Sequence, residues 1–376
     1  MPFREVSAMS QRKDMISDFL SGQYSVAALS RRFGVSRKTV YKWLARFAAE
    51  GEQGLTERSR QPRASPHQTP RSVEDLVVQA RLVHPAWGGR KLQRWLANQG
   101  HSSLPSPSTI TAILRRHGLL DPAQQSAHRP CQRFERPQPN ELWQMDFKGD
   151  FALGSGRCFP LTMLDDHSRF LLTLTACSNT RRLTVQSLLI DAFERYGLPE
   201  WILADNGPPW GASGQARWTK LKVWLLRLHI GVTHGRPRHP QTQGKEERLH
   251  RTLNDELLSR VQANSLGQWQ QHFDRWRQLY NSERPHHALA LEVPASRYVP
   301  SVRSYPSRLP ELLYPAQALM RKVSQQGRIE FQGKTWSIGK AFSLERVALK
   351  ANPLTDGLWS VYYGCYPVHE IDLRQG

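Results

Sequence analysis

Apolar positions in the first third of the chain recur at helical spacing, and the pattern then shifts to alternation. In the stretch YSVAALSRRFGVSRKTVYKWLARFAAEG at 24–51, Val26, Leu29 and Phe33 share one face. Gly34-Val35 interrupts the period, Ser36 sits at a helix-start position, and Val40, Leu44 and Phe47 resume it. Two short helices about a glycine turn form a helix-turn-helix. Residues 72–120 repeat the theme: Val73, Leu76, Val77 and Ala80 line one helix, and Leu92, Trp95 and Leu96 a second after Gly88-Gly89. Ile110, Ile113 and Leu114 line a third, opened by a Ser106 cap and Pro107. From Leu142 the texture is strand-like. LWQMDFKGDF at 142–151, RCFPLTMLDD at 157–166 and RFLLTLTACS at 169–178 are β-type runs with turns between them. A helix follows over 181–197, a short apolar strand over 200–207, and helices over 215–231 and from 244 onward.

This order predicts three parts: N-terminal all-α helix-turn-helix units, a central α/β core with a mixed sheet, and a small C-terminal all-β module. The expected domains are a helix-turn-helix over 10–54, a basic linker over 55–71, and a second helix-turn-helix-like unit over 72–120. A linker over 121–140, a core over 141–300 and a β module over 326–374 complete them. A helix begins at 266 and must end before Pro285; 300–325 reads as irregular.

Composition then narrows the partners. The chain of 376 residues carries a formal net charge of +20, and 22 Lys and Arg against 10 Asp and Glu fall within residues 1–140. An excess of this kind points to a polyanion, with nucleic acid the obvious one, and the helix-turn-helix pattern makes that double-stranded DNA. The second helix of the first unit presents Arg37, Lys38, Thr39, Tyr41 and Lys42, where a recognition helix meets base edges and phosphates. Arg90 and Lys91 hold the matching place in the second unit. Cys131, Cys158, Cys177 and Cys365 are widely spaced, which excludes a zinc ribbon and a disulfide framework and fits a reducing, cytoplasmic setting. No apolar run suits a membrane span, and no signal-peptide core opens the chain.

Against this basic background three acids stand out. Asp146 interrupts a strand pattern, where Asp is disfavoured without a role. Asp205 ends an apolar strand and precedes Asn-Gly, at the kind of strand terminus where α/β sheets place ligands. Glu246 and Glu247 sit together at a helix start among Lys and Arg. Such carboxylates suit Mg²⁺ or Mn²⁺, and two ions clamp the attacking and leaving oxygens of a phosphoryl displacement. On a helical wheel Glu246 falls with Leu249, Leu253 and Leu257 on the apolar seam and Glu247 about 100° away, which leaves both open. Trp43, Trp95, Trp224 and Trp276 sit beside Leu or Phe at helical positions and read as core. Asp150, Asp165 and Asp166 read as caps or turns.

The blocks WQMDF at 143–147, LADNG at 203–207 and HPQTQGKEERLHRTL at 239–253 resemble the three signatures of the integrase-type DDE transposases, a family that spans bacterial insertion-sequence transposases and retroviral integrases. FGVSRKTVYKWLARF and YNSERPHHAL resemble the insertion-sequence branch, and the likeness covers about residues 10–300. It implies an RNase H-like core, Mg²⁺-dependent cleavage at element ends and strand transfer by the freed 3′-OH into target DNA. It also implies a homo-oligomer in the synaptic complex. The glycine offset of the third block assigns Glu247, beside Asp146 and Asp205, as catalytic and metal-binding acids; Glu246 is the fallback. Asn206, Lys245, Arg248 and Arg251 become candidate DNA contacts, as do His234, Arg236, Arg238 and His239 in the preceding loop. The 41 residues between Asp205 and Glu247 exceed the spacing in many insertion-sequence relatives, with the surplus expected over 210–224. The paired His and Cys that open retroviral integrases are missing; helix-turn-helix units stand there. Two other readings keep the DNA but change the role: a regulator derived from a transposase without catalysis, and an RNase H-type nuclease, which needs no helix-turn-helix.

Overall fold

Serine caps start the helices of the N-terminal unit. The computed structural model describes residues 7–58, 68–120, 135–211, 218–234 and 244–374. It divides into two compact units, residues 1–68 and 69–376. In the first, α1 (Ala8–Leu20), α2 (Val26–Arg32) and α3 (Arg37–Glu50) each begin at a serine whose hydroxyl accepts a backbone N–H of the first turn: Ser7, Ser25 and Ser36. Gly34 takes φ +63° between α2 and α3, a left-handed turn that suits glycine. Met15, Ile16, Leu29, Val40, Trp43 and Leu55 form its core. The pattern did not single out α1, because Met15 and Ile16 are its only buried residues.

The second unit opens with α4 (Arg71–Val83), α5 (Gly89–Asn98) and α6 (Pro107–Arg116), packed around Val77, Trp87, Leu92, Leu96, Ile110 and Ile113. Ser106 caps α6 by accepting from Thr109 N, with Pro107 first in the helix as expected. Gly89 is fixed by close packing: a Cβ there would come within 2.4 Å of Pro107 O.

A mixed sheet follows, built from β1 (Leu142–Phe147), β2 (Phe151–Ala152), β3 (Arg157–Asp165), β4 (Leu171–Cys177), β5 (Trp201–Ala204) and β6 (Gly231–His234). β1 pairs antiparallel with β3 and parallel with β5; β5 pairs parallel with β6, β4 lies antiparallel on β3, and β2 pairs with the start of β3. α7 (Arg182–Tyr196) and α8 (Lys220–Arg227) share a core with Trp143, Met145, Leu161 and Ile202. The other layer is α9 (Gly244–Leu253), which runs into a π-helical turn at Asn254–Leu258, and α10 (Leu266–Ser282). Leu249, Leu253, Trp269, Phe273 and Trp276 pack there with Leu164, Leu171 and Leu174.

β4 is an edge strand, and α10 covers it with polar side chains. Asn281 Oδ1 accepts from Leu171 N at 2.8 Å and its Nδ2 donates to Leu171 O at 3.0 Å. Gln270 does the same for Ala176 N and Leu174 O, and Arg277 donates to Leu172 O. Groups on the outer edge that would otherwise be free to pair with another chain are thereby satisfied.

The C-terminal part is all β. β7 (Leu319–Lys322), β10 (Arg346–Ala351), β11 (Leu358–Tyr363) and β12 (Tyr366–Asp372) form one sheet in the order β12-β11-β10-β7, and β8 (Arg328–Phe331) pairs with β9 (Lys334–Ser337).

Two expectations need correction. The helix expected over 215–231 ends at Arg227; His229 takes φ +56°, and the chain enters β6, which had not been expected. Four residues, Gly-Val-Thr-His, are too short to show a period. The stretch 300–325, read as irregular, contains β7, so the β module begins seven residues before 326. Much of both expected linkers, residues 59–67 and 121–134, lies outside the described residues, as do Cys131, residues 212–217, Arg236, Arg238 and His239.

Candidate active site

Strand register brings the first two acids together. In β1, Trp143 and Met145 point into the core shared with α7, so by alternation Gln144 and Asp146 point to the α9 side. The parallel pairing that sets Leu142 opposite Trp201 and Gln144 opposite Leu203 carries Asp146 level with Asp205, one residue past the end of β5. There the chain turns sharply: Trp210 N and Gly211 N both donate to Gly207 O, and buried Trp210 anchors the loop. A Cβ at Gly211 would stand 1.8 Å from Asn206 O, and one at Gly207 would stand 2.9 Å from Asp205 Oδ2. Neighbours hold both acids by their backbones. Thr162 Oγ1 donates to Asp146 O at 3.0 Å, and His234 Nδ1 lies 2.7 Å from Asp205 O.

The paired glutamates divide. Glu246 is 2 % exposed, with Oε2 2.9 Å from Thr162 Oγ1 and 3.6 Å from His250 Nε2. Burial holds its carboxyl well above the usual range. Glu247 is exposed on the adjacent face. The Asp146 carboxyl is pushed up to about 6, first by desolvation and then by the negative charge of Asp205, with a further push from Glu247. Asp146 thus feels both other acids assigned by the motif. Among the described residues, Asp205 Oδ1 and His234 Nε2 are buried without a hydrogen-bond partner. Among the described residues, no three Asp, Glu, His or Cys side chains stand close enough to cage an ion unaided.

The basic candidates separate by exposure. Arg37, Lys38, Tyr41 and Lys42 are exposed on α3, while Thr39 is half-buried with its hydroxyl 2.9 Å from Ser36 Oγ. Arg90, Asn206, Arg248 and Arg251 are exposed. Lys245 differs from the expected outward position: it turns inward, with Nζ 2.5 Å from Oδ1 of buried Asp166 and donating to Asp166 O. Lys91 also faces inward, near Arg284, Glu256 and Arg248, and burial pushes its ammonium down to about 7. Asp165 accepts from Ser168 N within the turn and from Asn140 N, whereas the Asp166 carboxylate, read as a cap or turn acid, instead accepts from Gln144 Nε2 and Arg136 N, which lie far from it in the chain. Asp150, another expected turn acid, pairs with Arg157 across the β2–β3 hairpin. Sequence reasoning passed over Thr162 and His250; the only signal was a polar residue in an apolar strand and a His four residues after Glu246.

Family comparisons fall on the same segments. Integrase core domains match residues 136–240 and 228–294. The C-terminal domain of IS481 family transposases matches residues 318–376. The chain thus carries an integrase core and the C-terminal domain of IS481 family transposases. A helix-turn-helix domain matches residues 11–63 and a homeodomain-like domain residues 39–114. The chain is 28 % identical over 235 residues to an uncharacterized 31.7 kDa protein of insertion element IS407 from Burkholderia multivorans, covering 59 % of this chain and 80 % of that one. It is 22 % identical over 394 residues to the transposase for transposon Tn552 of Staphylococcus aureus, covering 92 % and 79 %. With the Gag-Pol polyprotein of avian reticuloendotheliosis virus it shares 27 % identity over 137 residues, 36 % of this chain and 11 % of the polyprotein. Among solved structures, the HTLV-2 integrase catalytic core domain in complex with magnesium aligns at 16 % identity and a TM-score of 0.33, over 43 % of this chain and 97 % of that one.

Proposed function

We propose that this integrase-core chain binds the ends of a mobile element and cleaves and joins DNA there, with Asp146, Asp205 and Glu247 as its catalytic acids. The observation that carries the reading is the parallel register of β1 and β5, which sets Asp146 level with Asp205, while Glu247 lies near enough to raise the Asp146 carboxyl. The residues fit a divalent ion: hard carboxylate oxygens, one of them buried without a partner among the described residues, and like charges whose closer approach needs a cation. Bound by these three acids, one or two Mg²⁺ or Mn²⁺ ions would neutralise the attacking and leaving oxygens of the phosphodiester.

The protein's own residues do the positioning. Thr162 and His234 hold the backbones of Asp146 and Asp205, and Glu246 fixes the first turn of α9 from inside so that Glu247 faces outward. Arg248 and Arg251, exposed on the same helix, contact phosphates beside the scissile bond. Residues 10–54 and 72–120 act as DNA-binding units, with Arg37, Lys38, Thr39, Tyr41, Lys42 and Arg90 as contacts, and a homo-oligomer pairs two ends. No described helix is long and apolar enough to cross a membrane, and we place the protein with the DNA in the cytoplasm.

A labelled element-end duplex with Mg²⁺ tests the reading. Wild-type protein is expected to release a 3′-OH at the element end, and Asp146→Asn and Asp205→Asn to bind the duplex without cutting it. Binding with no cleavage by wild type, in Mg²⁺ or Mn²⁺, favours the regulator instead.

A further inference from the structure

One carboxylate outside the acid site gathers donors from three separate segments. Glu256 lies in the π-helical turn that continues α9, nine residues after Glu247, or roughly 14 Å along the helix. Its side chain is 9 % exposed. It accepts from Trp87 Nε1 at 3.1 Å, from Trp276 Nε1 of α10 at 3.3 Å, and from Arg284 Nε at 2.8 Å. Arg284 belongs to the YNSERPHHAL segment, to which the proposed chemistry gives no task.

Trp87 is rooted in the helical unit of α4–α6. It is 1 % exposed, stacks on His84 at 3.8 Å, and its carbonyl accepts from Arg81. The same unit is fastened a second time by the ion pair between Arg94 of α5 and Glu292. Lys91 of α5 is near this carboxylate and also near Arg284 and Arg248, which gathers charged groups of α5, α9 and the post-α10 segment in one place. A buried charge held by three N–H donors resists local displacement, because losing any donor leaves it undersatisfied.

We infer that Glu256 is a positioning residue: it locks the 71–116 helical unit to the helix that bears Glu247, so that seating of this unit on an element end sets the third acid. The inference rests on the proposed function for its consequence in cleavage, though the mechanical link has its own readout. When the helical unit engages DNA, the force path to Glu247 runs through Trp87, Glu256 and one continuous helix. The YNSERPHHAL segment supplies the cation, Arg284, that pairs with this buried carboxylate at 2.8 Å.

Trp87→Phe removes the N–H and leaves a smaller aromatic ring in its place; Glu256→Gln keeps an acceptor oxygen and removes the charge; Glu256→Ala removes both. Hydrogen exchange of residues 244–253 is followed on adding an end duplex, together with duplex affinity and single-turnover cleavage, on full-length protein whose fold is checked by circular dichroism. Wild type is expected to gain protection in 244–253. Trp87→Phe and Glu256→Gln are expected to bind within about threefold of wild type, lose most of that protection, and cleave at least about tenfold more slowly, with Glu256→Ala lower again. Protection in both conservative variants equal to wild type overturns the inference, as does a cleavage loss no larger than the loss of affinity. Failure of wild type to cleave overturns the functional reading and leaves the exchange result to decide this one.

Discussion

Glu247→Gln is expected to lower end-duplex cleavage by about a thousandfold or more, with duplex affinity nearly unchanged. Loss of a carboxylate that holds charge at the reacting phosphate removes several kcal/mol of transition-state stabilisation, and each 1.36 kcal/mol is about tenfold in rate. The neighbouring Glu246→Gln is expected to cleave within about fivefold of wild type. Glu246 is enclosed with Thr162 and His250, and burial raises its carboxyl well above the usual range, which favours the uncharged form. A glutamine amide has nearly the same shape and no charge, so it fills the enclosed site with little loss. Both side chains share one helical turn, so a general disturbance of α9 would affect both variants alike. Single-turnover assays with matched binding measurements separate them. The reverse pattern would move the catalytic role to Glu246.

The second large effect concerns stability. Asn281→Leu is expected to cost about 2–5 kcal/mol, because it leaves the Leu171 N–H and C=O buried on the edge of β4 without partners. Asn281 is itself 4 % exposed, so water does not replace it readily. Urea unfolding should show a lower midpoint with an unchanged slope. A shift equivalent to less than about 0.5 kcal/mol would mean that α10 does not secure this edge.

Local chemistry was legible: the serine caps of α3 and α6, the glycine turn before α3, and Asp205 at a strand terminus all follow from residues within one turn of each other. Asp146 was legible because an acid inside an apolar strand violates the pattern. What escaped depends on residues far apart in the chain. Lys245 looked like a phosphate contact until Asp166, 79 positions earlier, was found beneath it. The choice between Glu246 and Glu247 stayed open on the wheel because Thr162, 84 positions away, takes up the first of them. β6 and β7 have four residues each and are defined by their partners rather than by a period of their own.

The central claim is that Asp146, Asp205 and Glu247 act by holding a divalent cation against DNA, and a change of ligand tests it most directly. Asp205→Cys offers a thiolate, which is a poor ligand for Mg²⁺ and a better one for Mn²⁺. Cleavage of the end duplex by this variant should vanish in Mg²⁺ and return in part in Mn²⁺, while Asp205→Ala stays inactive in both and wild type cuts in both. Equal cleavage by Asp205→Cys in Mg²⁺ and Mn²⁺ would contradict the account.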